Sequence, residues 1–216
     1  MLPLAFGLPA RRPLHVLCLG AHCDDIEIGC GAALMRLAGE RRIEVTWMVL
    51  CSTPQRAREL KASAARFLRD ARRRQLIVHA FRDGFLPADW KEAKERFEAL
   101  KALPRPDLIC THERSDRHQD HRIVSELTWN TFRDHLILEY EIPKWDGMVG
   151  EPNFYVPSTA ALARRKWQVL CTAYKSQLSK PWFTPNTFEG LMRLRGVECN
   201  AAEGYAEAFY ARKAVY

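Results

Sequence analysis

The chain has 216 residues, enough for one sizeable core and short of two ordinary domains. Its apolar fraction of 47% and charged fraction of 27% exclude a disordered, collagenous or fibrous chain. No apolar run approaches the roughly 20 residues that a membrane-spanning helix needs. Lys and Arg number 33 against 26 Asp and Glu, a formal charge of +7 that favours acidic partners such as phosphates, nucleic acid, an anionic membrane surface or a charged substrate. Residues 1–10 are apolar but no basic residue precedes them, so no secretion signal is expected. The 7 cysteines are scattered without a C-x-x-C pair. This argues for reduced thiols, a cytoplasmic setting, and against a zinc knuckle built from cysteine.

The predicted elements alternate. A strand over residues 15–21 leads to a helix over 29–39, a strand over 43–51, a helix over 56–68 and a strand over 75–81. A helix over 90–103 is stopped by Pro104 and Pro106, followed by a strand over 107–111, a helix over 119–132 and a strand over 136–142. Strands alternating with helices predict an α/β, Rossmann-like, mostly parallel sheet with helices on both faces, joined by right-handed crossovers. The last third is broken by Pro143, Pro152, Pro157, Pro181 and Pro185, and Ser158 is predicted to cap one helix running to about Tyr174. Residues 1–216 are expected to form a single domain: an α/β core over 14–142, then a covering helix, rim loops and a closing segment over 143–216.

Ligands of open parallel sheets bind beyond the carboxyl ends of the strands. There the first strand releases Ala21-His22-Cys23-Asp24-Asp25-Ile26-Glu27, in which His22 and Asp25 are able to face one ion while Asp24 stays free to take a proton. Acidic residues at this position also cap helices. A second cluster weighs against that plainer account. The fourth strand ends in Cys110-Thr111-His112-Glu113, and His118-Gln119-Asp120-His121 follows at the start of a helix. Histidine and aspartate at two sheet exits predict a two-histidine, one-carboxylate metal site. Zinc is preferred, and iron(II) accepts the same donors.

The segment Ala21-His22-Cys23-Asp24-Asp25-Ile26-Glu27-Ile28-Gly29-Cys30-Gly31 resembles the A-H-P-D-D-x-E-x-G-x-G motif of the PIG-L (LmbE-like) deacetylases. His118-Gln119-Asp120-His121 resembles that family's H-P-D-H motif, and Gly204-Tyr205-Ala206-Glu207-Ala208-Phe209 is similar to its closing Y-A-E-x-F. The resemblance covers most of residues 14–135. It implies a zinc-dependent enzyme that removes acetyl groups from N-acetylglucosamine-type amines. His22, Asp25 and His121 would be the zinc ligands and Asp24 the general base. His118 would stabilise the oxyanion or protonate the leaving amine, and Asp120 would orient the neighbouring histidine. Arg56 and Asp83 resemble residues that contact the substrate. Cys23 and Gln119 depart from the motifs, each standing where the family has proline, and Cys23 brings a soft ligand near the metal.

The expected partner is a small N-acetylated sugar; the sharper reading of the basic stretch Arg56, Arg58, Lys61, Arg66, Arg69, Arg72, Arg73 and Arg74 is a rim that attracts a phosphate-bearing one. The plainer account of that stretch is a solvated helix face. It lacks the interleaved aromatics of a stacking platform, which argues against nucleic acid. Trp145 and Trp182 are candidates to line a sugar site. A related zinc amidase acting on a non-sugar amide or thiol conjugate is the alternative, followed by a non-catalytic binding protein. Homo-oligomerisation stays open.

Overall fold

The computed structural model describes residues 7–9, 11–145, 147 and 149–215. Residues 1–6 and Ala10, which make up most of the apolar start, and Asp146 beside Trp145 lie outside the described residues. The described residues form a seven-stranded sheet in the order β3-β2-β1-β4-β5-β7-β6. Its strands are β1 Leu14–Gly20, β2 Ile43–Cys51, β3 Arg73–Phe81, β4 Leu108–His112, β5 Leu136–Tyr140, β6 Phe154–Ser158 and β7 Tyr205–Ala211. The first five pair in parallel, as β-α alternation requires, and β7 pairs antiparallel with both β5 and β6. The fold is therefore the mostly parallel α/β sheet expected from the sequence.

Six α-helices connect the strands among the described residues: α1 Asp25–Glu40, α2 Pro54–Phe67, α3 Trp90–Ala99, α4 Gln119–Thr131, α5 Ala160–Ala173 and α6 Pro185–Glu198. Alternate residues of β1 face opposite sides of the sheet, as the strand period dictates. Val16 and Cys18 pack with Leu60, Phe67, Leu170 and Phe188 from α2, α5 and α6. Leu17 and Leu19 pack with Phe97, Val124 and Leu127 from α3 and α4. Strand β1 lies between β2 and β4, so the chain reverses its direction of progress across the sheet there. That reversal opens a crevice above the carboxyl ends of β1 and β4.

The last third holds more regular structure than its prolines suggest. Pro157 lies in β6, which is an edge strand and tolerates a missing donor. Strand β7 interrupts its aromatics with alanine and a glutamate, and pairing on both sides holds it. Pro185 opens α6 at the first helical position, where its absent N–H costs nothing, behind the N-cap Thr184. Ser158 ends β6, and the cap of α5 is Thr159, whose Oγ1 accepts from Leu162 N at 3.2 Å.

Helix α1 is broken at Cys30, where φ is −143° and ψ 15°. Close packing accompanies the break: a Cβ on Gly29 would sit 2.2 Å from Tyr140 Cδ2, and one on Gly31 would sit 2.5 Å from Phe67 Cε1. A broken helix frees backbone groups, and two buried side chains take them. Lys166 Nζ donates to Ile28 O at 2.5 Å, while Glu207 accepts from Ala32 N at 2.9 Å and Ala33 N at 2.7 Å. Lys166 and Glu207 also pair with each other at 2.6 Å. The closing segment thus secures the helix whose first residue is Asp25.

Candidate metal centre

His22 leaves the end of β1, and Asp25 is the first residue of α1. Asp24 occupies the N-cap position, yet its side chain makes no capping hydrogen bond, so helix capping does not account for it. On the other side of the crevice, His118 caps α4, accepting from Asp120 N on Nδ1 at 3.2 Å. One turn of α4 places His121 beside the β1 exit. His22 Nδ1 and His121 Nε2 lie 3.2 Å apart, and Asp25 Oδ2 lies 3.3 Å from the first and 3.5 Å from the second. Donors held at zinc's usual bond lengths in a tetrahedron are separated by roughly 3.3 Å. The three atoms fit such an ion.

The outer nitrogens explain why the inner ones converge. His22 Nε2 lies 3.1 Å from both Asp120 Oδ2 and Asp83 Oδ1. His121 Nδ1 lies 2.8 Å from Asp116 Oδ2. A carboxylate accepts only, so an imidazole whose outer nitrogen donates to one presents a lone pair on its inner nitrogen. Lys144 Nζ bridges Asp116 Oδ1 and Oδ2 at 2.9 and 3.0 Å and lies 2.9 Å from the same His121 nitrogen. Three acceptors facing one another, two of them on buried residues, attract positive charge. Against burial, which lowers it, the Asp25, Asp120 and Asp83 carboxylates hold His22 well above the usual histidine range. Burial and His112 push His121 down to about 3. Burial pushes the Asp25 carboxyl up, but His121, His112 and His22 outweigh it and hold it well below the usual range.

Asp24 stands apart from this triangle. It is buried, and its Oδ1 accepts from Arg56 Nη2 at 2.5 Å. Burial pushes its carboxyl above the ordinary value against the opposing pull of Arg56. Arg56 also approaches Glu59 at 3.4 Å and lies 4.9 Å from the centre of the Tyr174 ring. The Tyr174 hydroxyl is within reach of Glu27 Oε1, at 2.5 Å, and of the Cys23 carbonyl. Glu27 is fully buried, which pushes it up to about 8.

Asp120 meets His22 rather than its sequence neighbour His121, whose carboxylate partner is Asp116. It also accepts from Gly84 N at 2.6 Å and Leu86 N at 3.1 Å. Gln119, in place of the family's proline, donates to Gly84 O at 3.2 Å. Together they clamp the loop after β3, where Gly84 adopts a φ of 83°, and so hold Asp83 against His22. The Cys23 thiol lies 3.8 Å from Cys51 O and is pushed up to about 12 by burial, so it packs as a protonated thiol.

Two further residues belong to the centre and carry no role in the motif reading. His112, fully buried at the end of β4, has Nε2 3.0 Å from Ala21 N and 3.2 Å from Asp25 Oδ2, and its ring stacks on His121. Asp116 is the other. The last residue of the strand beside the switch point was the available signal for His112, and Asp116 had only its place in a histidine- and aspartate-rich loop.

All eight predicted residues sit around the crevice. His22, Asp24, Asp25, Arg56, Asp83, His118 and His121 line a cleft of about 620 Å³, while Asp120 lies beneath its wall. The cleft's other lining includes Arg82, Lys144, Trp145, Lys180 and Trp182.

The family model of the GlcNAc-PI de-N-acetylases, PIG-L, matches residues 17–132, more than half of the chain. No curated protein matches the sequence. Among solved structures, the conserved protein TT1542 from Thermus thermophilus is 24% identical with a TM-score of 0.75, covering 94% of this chain and 96% of its own. The N,N'-diacetylchitobiose deacetylase from Pyrococcus horikoshii is 17% identical with a TM-score of 0.67, covering 90% and 82%. The 4-carboxy-2-hydroxymuconate hydratase GalB from Pseudomonas putida is 16% identical with a TM-score of 0.71, covering 94% and 98%. At these identities the likeness speaks for the fold, and this fold carries more than one reaction.

Proposed function

We propose, on the premise that this chain belongs to the PIG-L family, that it is a zinc-dependent hydrolase that removes the acetyl group from an N-acetylglucosamine-type sugar or sugar conjugate. The observation that carries the reading is the triangle of acceptors formed by His22 Nδ1, His121 Nε2 and Asp25 Oδ2, 3.2 to 3.5 Å apart, with Asp24 beside it and outside it. Two imidazoles and a carboxylate suit zinc and leave a position open. A zinc ion held there supplies Lewis acidity towards a carbonyl oxygen and makes water acidic enough to attack at neutral pH.

The residues of the chain do the rest. Asp24 Oδ2 takes the proton of the attacking water, while Arg56 holds Oδ1 and fixes the direction of the carboxylate. His118 accepts from a backbone N–H on Nδ1, which leaves its hydrogen on Nε2. Burial, with His22 and Lys144 nearby, lowers His118 below the usual range, so it reaches the amide as a neutral donor to the carbonyl oxygen. The proton gathered by Asp24 passes to the leaving nitrogen, and acetate and the free amine depart. Asp120, Asp83 and Asp116 orient the two ligand histidines through their outer nitrogens. Asp83 at the mouth of the cleft and the indoles of Trp145 and Trp182 favour a hydroxyl-rich ring. The 7 free cysteines suit a reducing, cytoplasmic compartment.

Release of acetate from N-acetylglucosamine and its conjugates by purified protein, with and without a chelator, tests the reading. Activity that disappears with the chelator and returns with zinc is expected. Acetate release indifferent to the chelator, or none from any N-acetylated sugar in the presence of zinc, overturns it.

A further inference from the structure

We infer that Cys18, Cys30 and Cys110 form a second binding site, separate from the metal centre, that takes a trivalent thiophilic metalloid of the arsenite class on three sulfurs. The inference stands independently of the deacetylase reading. A chain without a C-x-x-C pair has no ready-made knuckle, but here the topology assembles thiols from three elements. Cys18 and Cys110 are register partners on the neighbouring parallel strands β1 and β4, and both belong to the core on the side of the sheet that α1 covers. Cys30 meets them from the break in α1, where its backbone leaves helical geometry and Gly29 and Gly31 let the helix lie close on Tyr140 and Phe67. The three Sγ atoms all lie within 4.8 Å of one another, and all three residues are buried. Cys23, Cys51, Cys171 and Cys199 join no such group among the described residues.

A single core cysteine is a small apolar filler. Three converging thiols are also a chelate, and their surroundings select what it holds. Donors that are all sulfur favour soft ions. Zinc asks for a fourth donor, and none joins the three among the described residues. Three thiolates carry three negative charges, and the core around them is apolar, with Ile26, Leu34 and Tyr140 in the same cluster. A monovalent or divalent ion on three thiolates would bury a net charge there, whereas a trivalent centre leaves none. Arsenous acid is itself uncharged at neutral pH, so it brings no charge into the core. Three As–S bonds form and three As–O bonds break. Each thiol proton leaves with a hydroxyl as water, and no oxidation state changes. The product is a neutral, pyramidal tris-thiolate that ties β1, α1 and β4 together.

The experiment adds sodium arsenite to the full chain, kept reduced with a phosphine in the presence of zinc, and to Cys18→Ala, Cys30→Ala and Cys110→Ala. A converse variant replaces Cys23, Cys51, Cys171 and Cys199 with alanine and keeps the three. After desalting, elemental analysis should find one arsenic per chain and an unchanged zinc content. X-ray absorption at the arsenic edge should show three sulfur neighbours and no oxygen. Each single variant should bind at least about tenfold more weakly, and the converse variant as tightly as the parent. The parent's Tm should rise with arsenite concentration, because the ligand favours the assembled site. No retained arsenic, oxygen in its first shell, zinc lost in step with arsenic gained, or equal binding by the single variants overturns the site. Where a single variant fails to fold, the converse variant decides: arsenic on three sulfurs there supports the site, and none overturns it.

Discussion

Two buried charged clusters lie close together along α1, and they differ in how their hydrogen bonds close. Around the break at Cys30, Lys166 and Glu207 match donors to acceptors: the ammonium serves Ile28 O and the carboxylate, and the carboxylate takes Ala32 N and Ala33 N. At the helix start, His22 Nδ1, His121 Nε2 and Asp25 Oδ2 converge with their acceptor sides inward. A buried polar set whose partners balance holds a shape, whereas one with a surplus of acceptors draws a cation. The same helix therefore carries a cluster whose donors and acceptors balance and one with a surplus of acceptors, and the second is the candidate metal centre.

The sharpest way to break this contrast is at the carboxylate that belongs to neither set. Asp24→Asn keeps an oxygen for Arg56 and leaves the acceptor triangle intact. Metal content should stay stoichiometric while kcat falls by roughly 10² to 10⁴. Elemental analysis beside acetate release checks both halves. Unchanged turnover would place the base elsewhere.

The closed cluster predicts the opposite pattern. Lys166→Met leaves the buried Glu207 without its cation and Ile28 O without its donor, and should cost about 3 to 5 kcal/mol of stability. Urea unfolding measures it. Adding Glu207→Leu should recover little, because the double variant also strips the caps from Ala32 and Ala33. Full recovery would mean that the pair acts as an isolated salt bridge and that the break in α1 needs no closing.

The sequence carried these two clusters to different depths. Strand β2 was legible to its last residue because Trp47 to Cys51 form an unbroken buried apolar run ahead of a clear helical pattern. The convergence of His22 with His121 followed from two polar clusters at strand ends, since parallel topology puts all such ends on one side. Strands β6 and β7 were not legible: one contains a proline and the other interrupts its aromatics with alanine and a glutamate, so their pairing comes from the tertiary structure. Glu207 stood out only through a short motif, because the backbone groups it satisfies exist only once Cys30 leaves helical geometry. The partners of the ligand histidines were hidden for a related reason. Whether Asp116 or Asp120 meets His121 depends on how the loop between β4 and α4 turns, and side-chain spacing alone does not specify that.

Asp116 offers the finest test of the open cluster. Its carboxylate lies against His121 Nδ1 at 2.8 Å and is bridged by Lys144, so it both fixes the imidazole's hydrogen and adds negative charge behind the ligand. Asp116→Asn preserves volume and one acceptor but removes the charge, and its amide presents donors towards Lys144. The His121 lone pair should then be a weaker donor and less firmly aimed, and zinc affinity should drop by about 10- to 100-fold. Competition with a chromophoric chelator reads this directly, without turnover. Asp120→Asn should also weaken zinc through His22, but it additionally loosens Gly84 and Leu86, so its effect should reach substrate KM as well. Equal zinc affinity in Asp116→Asn and the parent protein would mean that the inner nitrogen of His121 is directed by the fold around it, including the stacked His112, rather than by the carboxylate behind it.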